Sequence, residues 1–175
     1  MNLSSITIQQ ETENDRQAVF TVNQRAFQRD EEALLVDRLR TSEAFIPQLS
    51  LVSRVDNKVA GHILFTEIGI RQPDGNISQA LALAPMAVLP EYQSKGIGGQ
   101  LIRHGLEVAR SLGYKAVIVL GHEHYYPRFG FVPAAKWNIT APFPVPSANF
   151  LALELVPDAL GNVAGEVIYA PEFGL

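Results

Sequence analysis

Seven residues, Gln93-Ser94-Lys95-Gly96-Ile97-Gly98-Gly99, carry three glycines in their last four positions and open onto a helical pattern. Glycine admits positive φ and lets a ligand approach the main chain closely. A helix start adds N–H groups with no partner inside the helix and a favourable field for an anion. The chemistry this stretch can perform is therefore the cradling of a phosphate. Two familiar phosphate loops do not fit it. A nucleotide triphosphatase loop ends in Gly-Lys-Ser/Thr, whereas Lys95 precedes Gly96. The dinucleotide fingerprint needs a third glycine where Leu101 stands. From the glycines alone, a tight turn without a ligand fits as well as a cradle.

A second chemistry-bearing run follows a helix and a strand later: Tyr125-Tyr126-Pro127-Arg128-Phe129-Gly130-Phe131. A tyrosine hydroxyl can give up a proton to a leaving group. Taken by themselves, Tyr125 and Tyr126 are equal candidates, or packed aromatics. Pro127 suits the first position of a helical turn, where its missing N–H costs nothing. Just upstream, His122-Glu123-His124 has a ligand-like look. No third ligand accompanies it in the sequence, so it reads as polar loop. His62 and His104 fall inside a strand and a helix and call for no special role.

These residues need elements to place them. Residues 79–88 read as a strand and 97–112 as a helix whose apolar face is Ile97, Leu101, Leu106, Val108, Ala109 and Leu112. Gly113 is a suitable stop. The apolar run 116–120 reads as a buried strand parallel to its predecessor. Pro85 cannot donate to a ladder and marks an edge, a bulge or a parting of strands. Upstream, a first strand (6–10) precedes a helix capped by Asn14 or Asp15 and a second helix over 31–40, with the helical region ending around Pro47. Strands 49–55, 59–70 and 79–88 form an antiparallel meander, turned at Asp56-Asn57-Lys58 and at Pro73-Asp74-Gly75-Asn76. Downstream, Pro133, Pro142, Pro144 and Pro146 give an extended, turn-broken segment. Strands are expected at 150–155 and 165–169, with a short helical turn over 156–160.

The chain of 175 residues, 47% hydrophobic and 18% charged, suits one domain with its own core, spanning 1–175. A net charge of −4 gives no sign of a broad nucleic-acid surface. The absence of cysteine excludes disulfides, thiolate catalysis and cysteine metal sites. Residues 1–8 lack a basic segment followed by an apolar run, so no signal peptide is expected, and no run is apolar and long enough to cross a membrane. The expectation is a cytoplasmic protein without nucleic-acid or membrane partners. A homodimer is compatible with it.

Gln93-x-x-Gly96-x-Gly98, after a broken strand and before an amphipathic helix, resembles the acetyl-CoA loop of the GNAT superfamily of N-acetyltransferases. Tyr126-x-x-x-Gly130-Phe131 is similar to that family's second signature, and the order of elements over roughly the first 135 residues fits as well. The run from His122 to Phe131, with the Phe-Leu-Ala-Leu-Glu-Leu strand at 150–155, looks most like a branch of uncharacterised predicted N-acetyltransferases. The resemblance implies an α/β (α+β) fold: a mixed, twisted central sheet, helices on both faces, and a splayed strand at the cofactor site. It implies an acyltransferase that moves acetyl from acetyl-CoA to a primary amine of a small molecule or protein, without a metal. Met86, Ala87 and Val88 would pair with the pantetheine arm. Gln93, Ser94, Lys95, Gly96, Ile97, Gly98 and Gly99 would hold the pyrophosphate, with the Lys95 side chain adding charge. Tyr126 takes the position of the acid that protonates the departing thiolate.

The chain departs from the family pattern in two respects. Residues 79–88 contain no acid, so Glu67 on the preceding strand is the substitute general base, with His122, Glu123, His124 and water as alternatives. The region after 120 lacks the common asparagine and longer helix. A module that binds CoA or an acyl-CoA without turnover is the alternative reading. A fold whose site is lost and which binds a partner is a third, and the intact loop speaks against it.

Overall fold

The structure, a computed structural model, describes residues 5–175. Part of the leader reading, residues 1–4, lies outside them. The element order is β1 (Ile6–Gln10), α1 (Arg16–Phe27), α2 (Glu31–Arg40), β2 (Phe45–Val55), β3 (Lys58–Arg71), β4 (Ile77–Val88), α3 (Ile97–Ser111), β5 (Ala116–Leu120), β6 (Val132–Pro133), β7 (Ile139–Thr140), β8 (Phe150–Glu154) and β9 (Gly165–Ile168), with five short 3-10 turns between them and a sixth after β9. The expected meander and strand–helix–strand unit are present. The chain packs as two compact units, residues 5–65 with 85–108, and Thr66–Ala84 with Ala109–Leu175.

In the first unit the strand order is β1-β2-β3-β4. β1 lies antiparallel on β2, from Ile6 opposite Val55 to Gln10 opposite Leu51. The β2–β3 turn uses left-handed backbone at Asp56 (φ 49°) and Asn57 (φ 66°), as the Asp-Asn pair foretells. Pro47, expected to end the helical region, lies inside β2. The β1 register stops at Leu51, so the segment around Pro47 owes β1 no donor. Helices cover both faces of β3. α3 rests on Gly61 and Phe65, through Leu101 and Gly105. The opposite face carries His62 toward Asn23 of α1 and Arg40 of α2.

That second face holds a buried polar cluster that the sequence reading passed over. His62 is fully buried. Its Nδ1 accepts from Asn23 Nδ2 at 3.3 Å, which puts its proton on Nε2, 3.0 Å from Ser50 Oγ. Ser50 in turn donates to Glu11, and Arg40 donates to the same carboxylate through Nε at 2.8 Å. Burial lowers the His62 pKa. Burial alone would raise Glu11, but hydrogen bonds from His62 and Ser50 and the Arg40 charge bring it down to about 2.

In the second unit β3-β4-β5-β8-β6 are neighbours, β9 pairs with β3, and β7 with β9. β5 is paired with β8 over its whole length, from Ala116 opposite Glu154 to Leu120 opposite Phe150. Its contact with β4 is parallel and brief: Leu81 opposite Val117 and Ala82 opposite Ile118. One face of this sheet buries Ile70, Ala82, Ile118, Phe150 and Ala152, and Trp137, Ala141, Val145 and Tyr169 pack onto it. The proline-rich segment is thus part of this core. Residues 156–160 form turns without the expected helical turn. Leu112, expected on the apolar face of α3, lies beyond its end and is exposed.

The buried cluster sets an acid limit. A folded-state pKa below the ordinary value means that the unfolded chain takes up the proton first, so stability is lost as pH falls. For His62 the loss begins near its ordinary value of about 6.5, and for Glu11 it runs from 4.5 down to about 2. Denaturant unfolding at pH 7.5, 6 and 5 should show declining stability, at most about 1.4 kcal/mol per pH unit for the histidine alone. His62→Gln should flatten that decline above pH 5. An unchanged slope in the variant would place the acid sensitivity elsewhere.

Candidate active site

The glycine-rich loop belongs to the first unit and is built from the end of β4. Ala80, Leu81, Ala82 and Leu83 are all buried, but from Ala84 onward alternate residues, Ala84, Met86 and Val88, are only half-buried. One face of β4 opens just past its last pair with β5. The hydrogen bonds from Gln72 to Asn76 and from Leu89 to Ala60 are out of step by one residue. The offset places one extra residue opposite β3 somewhere between Asn76 and Leu89. Beyond Val88 the chain makes a 3-10 turn, Pro90–Tyr92. Gln93 folds back, its Nε2 donating to the Val88 carbonyl at 3.0 Å.

Ser94 (φ 59°) and Gly96 (φ 83°) both take left-handed backbone. The first helical bond runs from Gln100 N to Gly96 O at 3.1 Å, so the helix starts at Gly96. The N–H groups of Ile97, Gly98 and Gly99 then have no acceptor within α3. Ile97 is buried and anchors the helix start, while Gln93 through Gly96 are exposed. This fits an anion cradle made of main chain. The Lys95 Nζ donates to the Glu91 carbonyl at 3.0 Å and lies 5.7 Å from the Tyr92 ring centre.

The tyrosine turn belongs to the second unit. β5 ends at Leu120, and Gly121 is held at both its polar atoms by Asn149: Gly121 N donates to Asn149 O at 2.9 Å, and Asn149 Nδ2 donates to Gly121 O at 3.1 Å. The His122 carbonyl accepts from Tyr125 N and Tyr126 N, which closes the turn. Tyr126–Phe129 is a 3-10 turn with Pro127 near its start and Gly130 (φ 99°) at its end. Tyr126 is buried, edge-on to Tyr125 and Phe131 at 5.1 and 5.7 Å. A Cβ on Gly121 would lie 2.2 Å from the Tyr126 ring, so the ring occupies the space a side chain would need. Burial, and then neighbouring Tyr125, push the Tyr126 hydroxyl up to about 12. The two tyrosines, equal in sequence, are thus distinguished by burial.

Glu67 is half-buried and accepts a 2.5 Å hydrogen bond from the Tyr114 hydroxyl. Burial and then that bond raise Tyr114 to about 12. The pairing is 47 residues apart in sequence and had no local signal. His122, Glu123 and His124 are exposed, with His124 Nε2 3.5 Å from Glu123 Oε1. A cavity of about 350 Å³ lies beside Ser78, Gln79, Tyr114 and Lys115. It sits where β4 and β5 begin, whereas the loop and the tyrosine turn follow the ends of these strands. Gly121 and Asn149 were missed in sequence. The only hint was a glycine directly after a buried strand and an asparagine directly before one.

Comparison with known proteins accords with this geometry. Residues 13–131 match the model of the Acetyltransferase (GNAT) family. The uncharacterized N-acetyltransferase YjhQ of Escherichia coli is 42% identical over 152 residues, covering 85% of this chain and 82% of that protein. The crystal structure of the GNAT family N-acetyltransferase YhbS of Escherichia coli, in complex with CoA, superposes with a TM-score of 0.89 at 32% identity, covering 97% of this chain and 92% of that one. A GNAT family acetyltransferase of Brucella melitensis, in complex with acetyl-CoA, gives 0.78 at 33% identity, covering 97% and 98%. No helix among the described residues is long and apolar enough to cross a membrane. The fold, the loop and these relatives agree: the chain belongs to the GNAT family of acetyltransferases.

Proposed function

We propose that this protein transfers the acetyl group of acetyl-CoA to a primary amine, on a small molecule or a protein, by direct attack and without a covalent enzyme intermediate or a metal. The observation that carries the reading is the end of β4. Its face opens past Ala82, and it runs into a loop whose left-handed Ser94 and Gly96 present the start of α3. The CoA and acetyl-CoA bound in the two related structures support it. The co-substrate supplies an activated thioester. Backbone groups of Met86, Ala87 and Val88 align its pantetheine arm, and main-chain N–H groups within Gln93 to Gly99 hold its pyrophosphate. A main-chain N–H of the opened strand is the donor for the developing oxyanion.

Tyr126 is the group that receives the departing sulfur. A hydroxyl at about 12 is fully protonated at neutral pH and so available as a donor. Against a free thiol near 8.5, complete transfer would be uphill by roughly 5 kcal/mol. The same burial that raises the tyrosine also raises a thiol beside it, which narrows that gap. Tyr126 thus acts first as a hydrogen-bond donor and yields its proton as the sulfur gains charge. The base is Glu67, through the carboxylate oxygen that Tyr114 does not engage, or else His122, Glu123, His124 or water. The Tyr114 bond favours a second role for Glu67, bracing the connection after α3.

Calorimetry with acetyl-CoA, followed by CoA thiol release with a panel of amines, tests the reaction. Binding with turnover on at least one amine is expected. Binding without turnover on any would leave a CoA-binding module, and no binding would remove both readings. Tyr126→Phe should lower kcat roughly a hundredfold while leaving CoA affinity within about twofold. Gly121→Ala should mimic it by displacing the ring; full activity in either variant would take Tyr126 out of the mechanism. For Glu67→Gln, a base role predicts loss of the rising limb of the pH–rate profile. A bracing role predicts a lower Tm with that limb intact.

A further inference from the structure

Where the loop meets α1, an organised polar contact lies outside the proposed chemistry. Glu91 lies in the 3-10 turn two residues before Gln93. Arg25, in the last turn of α1, grips it with both terminal nitrogens: Nη1 to Oε1 and Nη2 to Oε2, each at 2.9 Å. Lys58, at the start of β3, brings its Nζ to 4.0 Å from Oε1. Lys95 binds the Glu91 carbonyl from within the loop itself. One residue thus gathers three cations from three places in the chain.

Two physical points follow. A planar guanidinium holding a carboxylate at two points fixes orientation as well as distance, which an ammonium cannot do. Both partners are also well exposed, and exposed ion pairs add little to global stability. The contact is therefore poorly placed to hold the fold and well placed to hold the loop. It further neutralises a carboxylate that would otherwise repel an arriving phosphate.

We propose that Arg25 and Glu91 are positioning residues that preset the Ser94–Gly99 main chain for the pyrophosphate of the co-substrate. The proposal rests on the acetyl-CoA reading above. Neither side chain takes part in the reaction. The clamp fixes one end of the loop, as the Gln93 bond to Val88 fixes the strand from which it springs.

The test is charge exchange. Arg25→Glu should raise KM for acetyl-CoA and Kd for CoA about tenfold, with kcat at saturation unchanged and Tm within about 2 °C of the parent. Glu91→Arg should do likewise. The double exchange, which keeps the net charge, should bring KM back to within about threefold, and Arg25→Lys should fall between. Single variants that bind CoA as the parent does would overturn the clamp, as would a double variant no better than the singles. If the parent binds no CoA, the acetyl-CoA reading fails, and the clamp is judged in the free protein. Amide hydrogen exchange over residues 93–99 should then quicken in Arg25→Glu and slow again in the double exchange. Unchanged exchange would overturn the clamp itself.

Discussion

The brevity of the β4–β5 contact governs the rest of this molecule. Two residue pairs join these strands, and β4 then runs six residues further. Main-chain groups that lose a ladder partner must find another or remain wet, because an unpaired buried N–H or C=O costs about 1–3 kcal/mol. β5 is paired along its other edge with β8, which leaves its β4-facing edge unchanged. Past the end of β4, the Gln93 amide takes up the Val88 carbonyl. On the proposed reading, the polar groups of the opened strand would pair with the pantetheine amides.

Helices on both faces of the first unit bury apolar side chains, Val19, Val22, Val36 and Leu39 on one side and Ile97, Leu101 and Ile102 on the other, and the α1/α2 side adds a polar chain. α3 relies on apolar contact and on the close approach that Gly61 and Gly105 permit. α1 and α2 are also joined to the sheet through the Asn23–His62–Ser50–Glu11–Arg40 chain, in which each residue bonds the next. Such a chain fixes one arrangement well, and loss of Arg40 leaves the buried Glu11 charge without its cation. The rigidity of this side gives α1 a fixed end from which Arg25 can reach the loop.

Much of this was legible in the sequence where the signal is local. The bounds of α2, residues 31–40, follow from its apolar period and terminal charges. The loop, the Asp56-Asn57 turn and the buried run 116–120 each declare themselves within ten residues. Pro47 misled because a proline reads as a breaker unless one knows that β1 stops short of it. What stayed hidden were meetings between distant residues: Tyr114 with Glu67, Asn149 with Gly121, Glu91 with Arg25, and the partners of His62. These depend on which faces of the elements come together, and no spacing in a single chain encodes that. Family resemblance singled out Tyr126 from its neighbour, and burial supplies the physical distinction.

The double hydrogen bond between Asn149 and Gly121 has a bearing on how this scaffold can diversify. It ties the first residues of β8 to the floor beneath Tyr126, through a 3-10 turn at Ser147–Asn149 whose last N–H returns to Pro146. An insertion or deletion within that turn would shift Asn149 and carry the tyrosine with it. Changes in length before Pro146 leave the tie intact. Relatives that remodel this C-terminal region for new substrates would accordingly do so upstream of Pro146, with the last few residues before β8 kept as a fixed spacer.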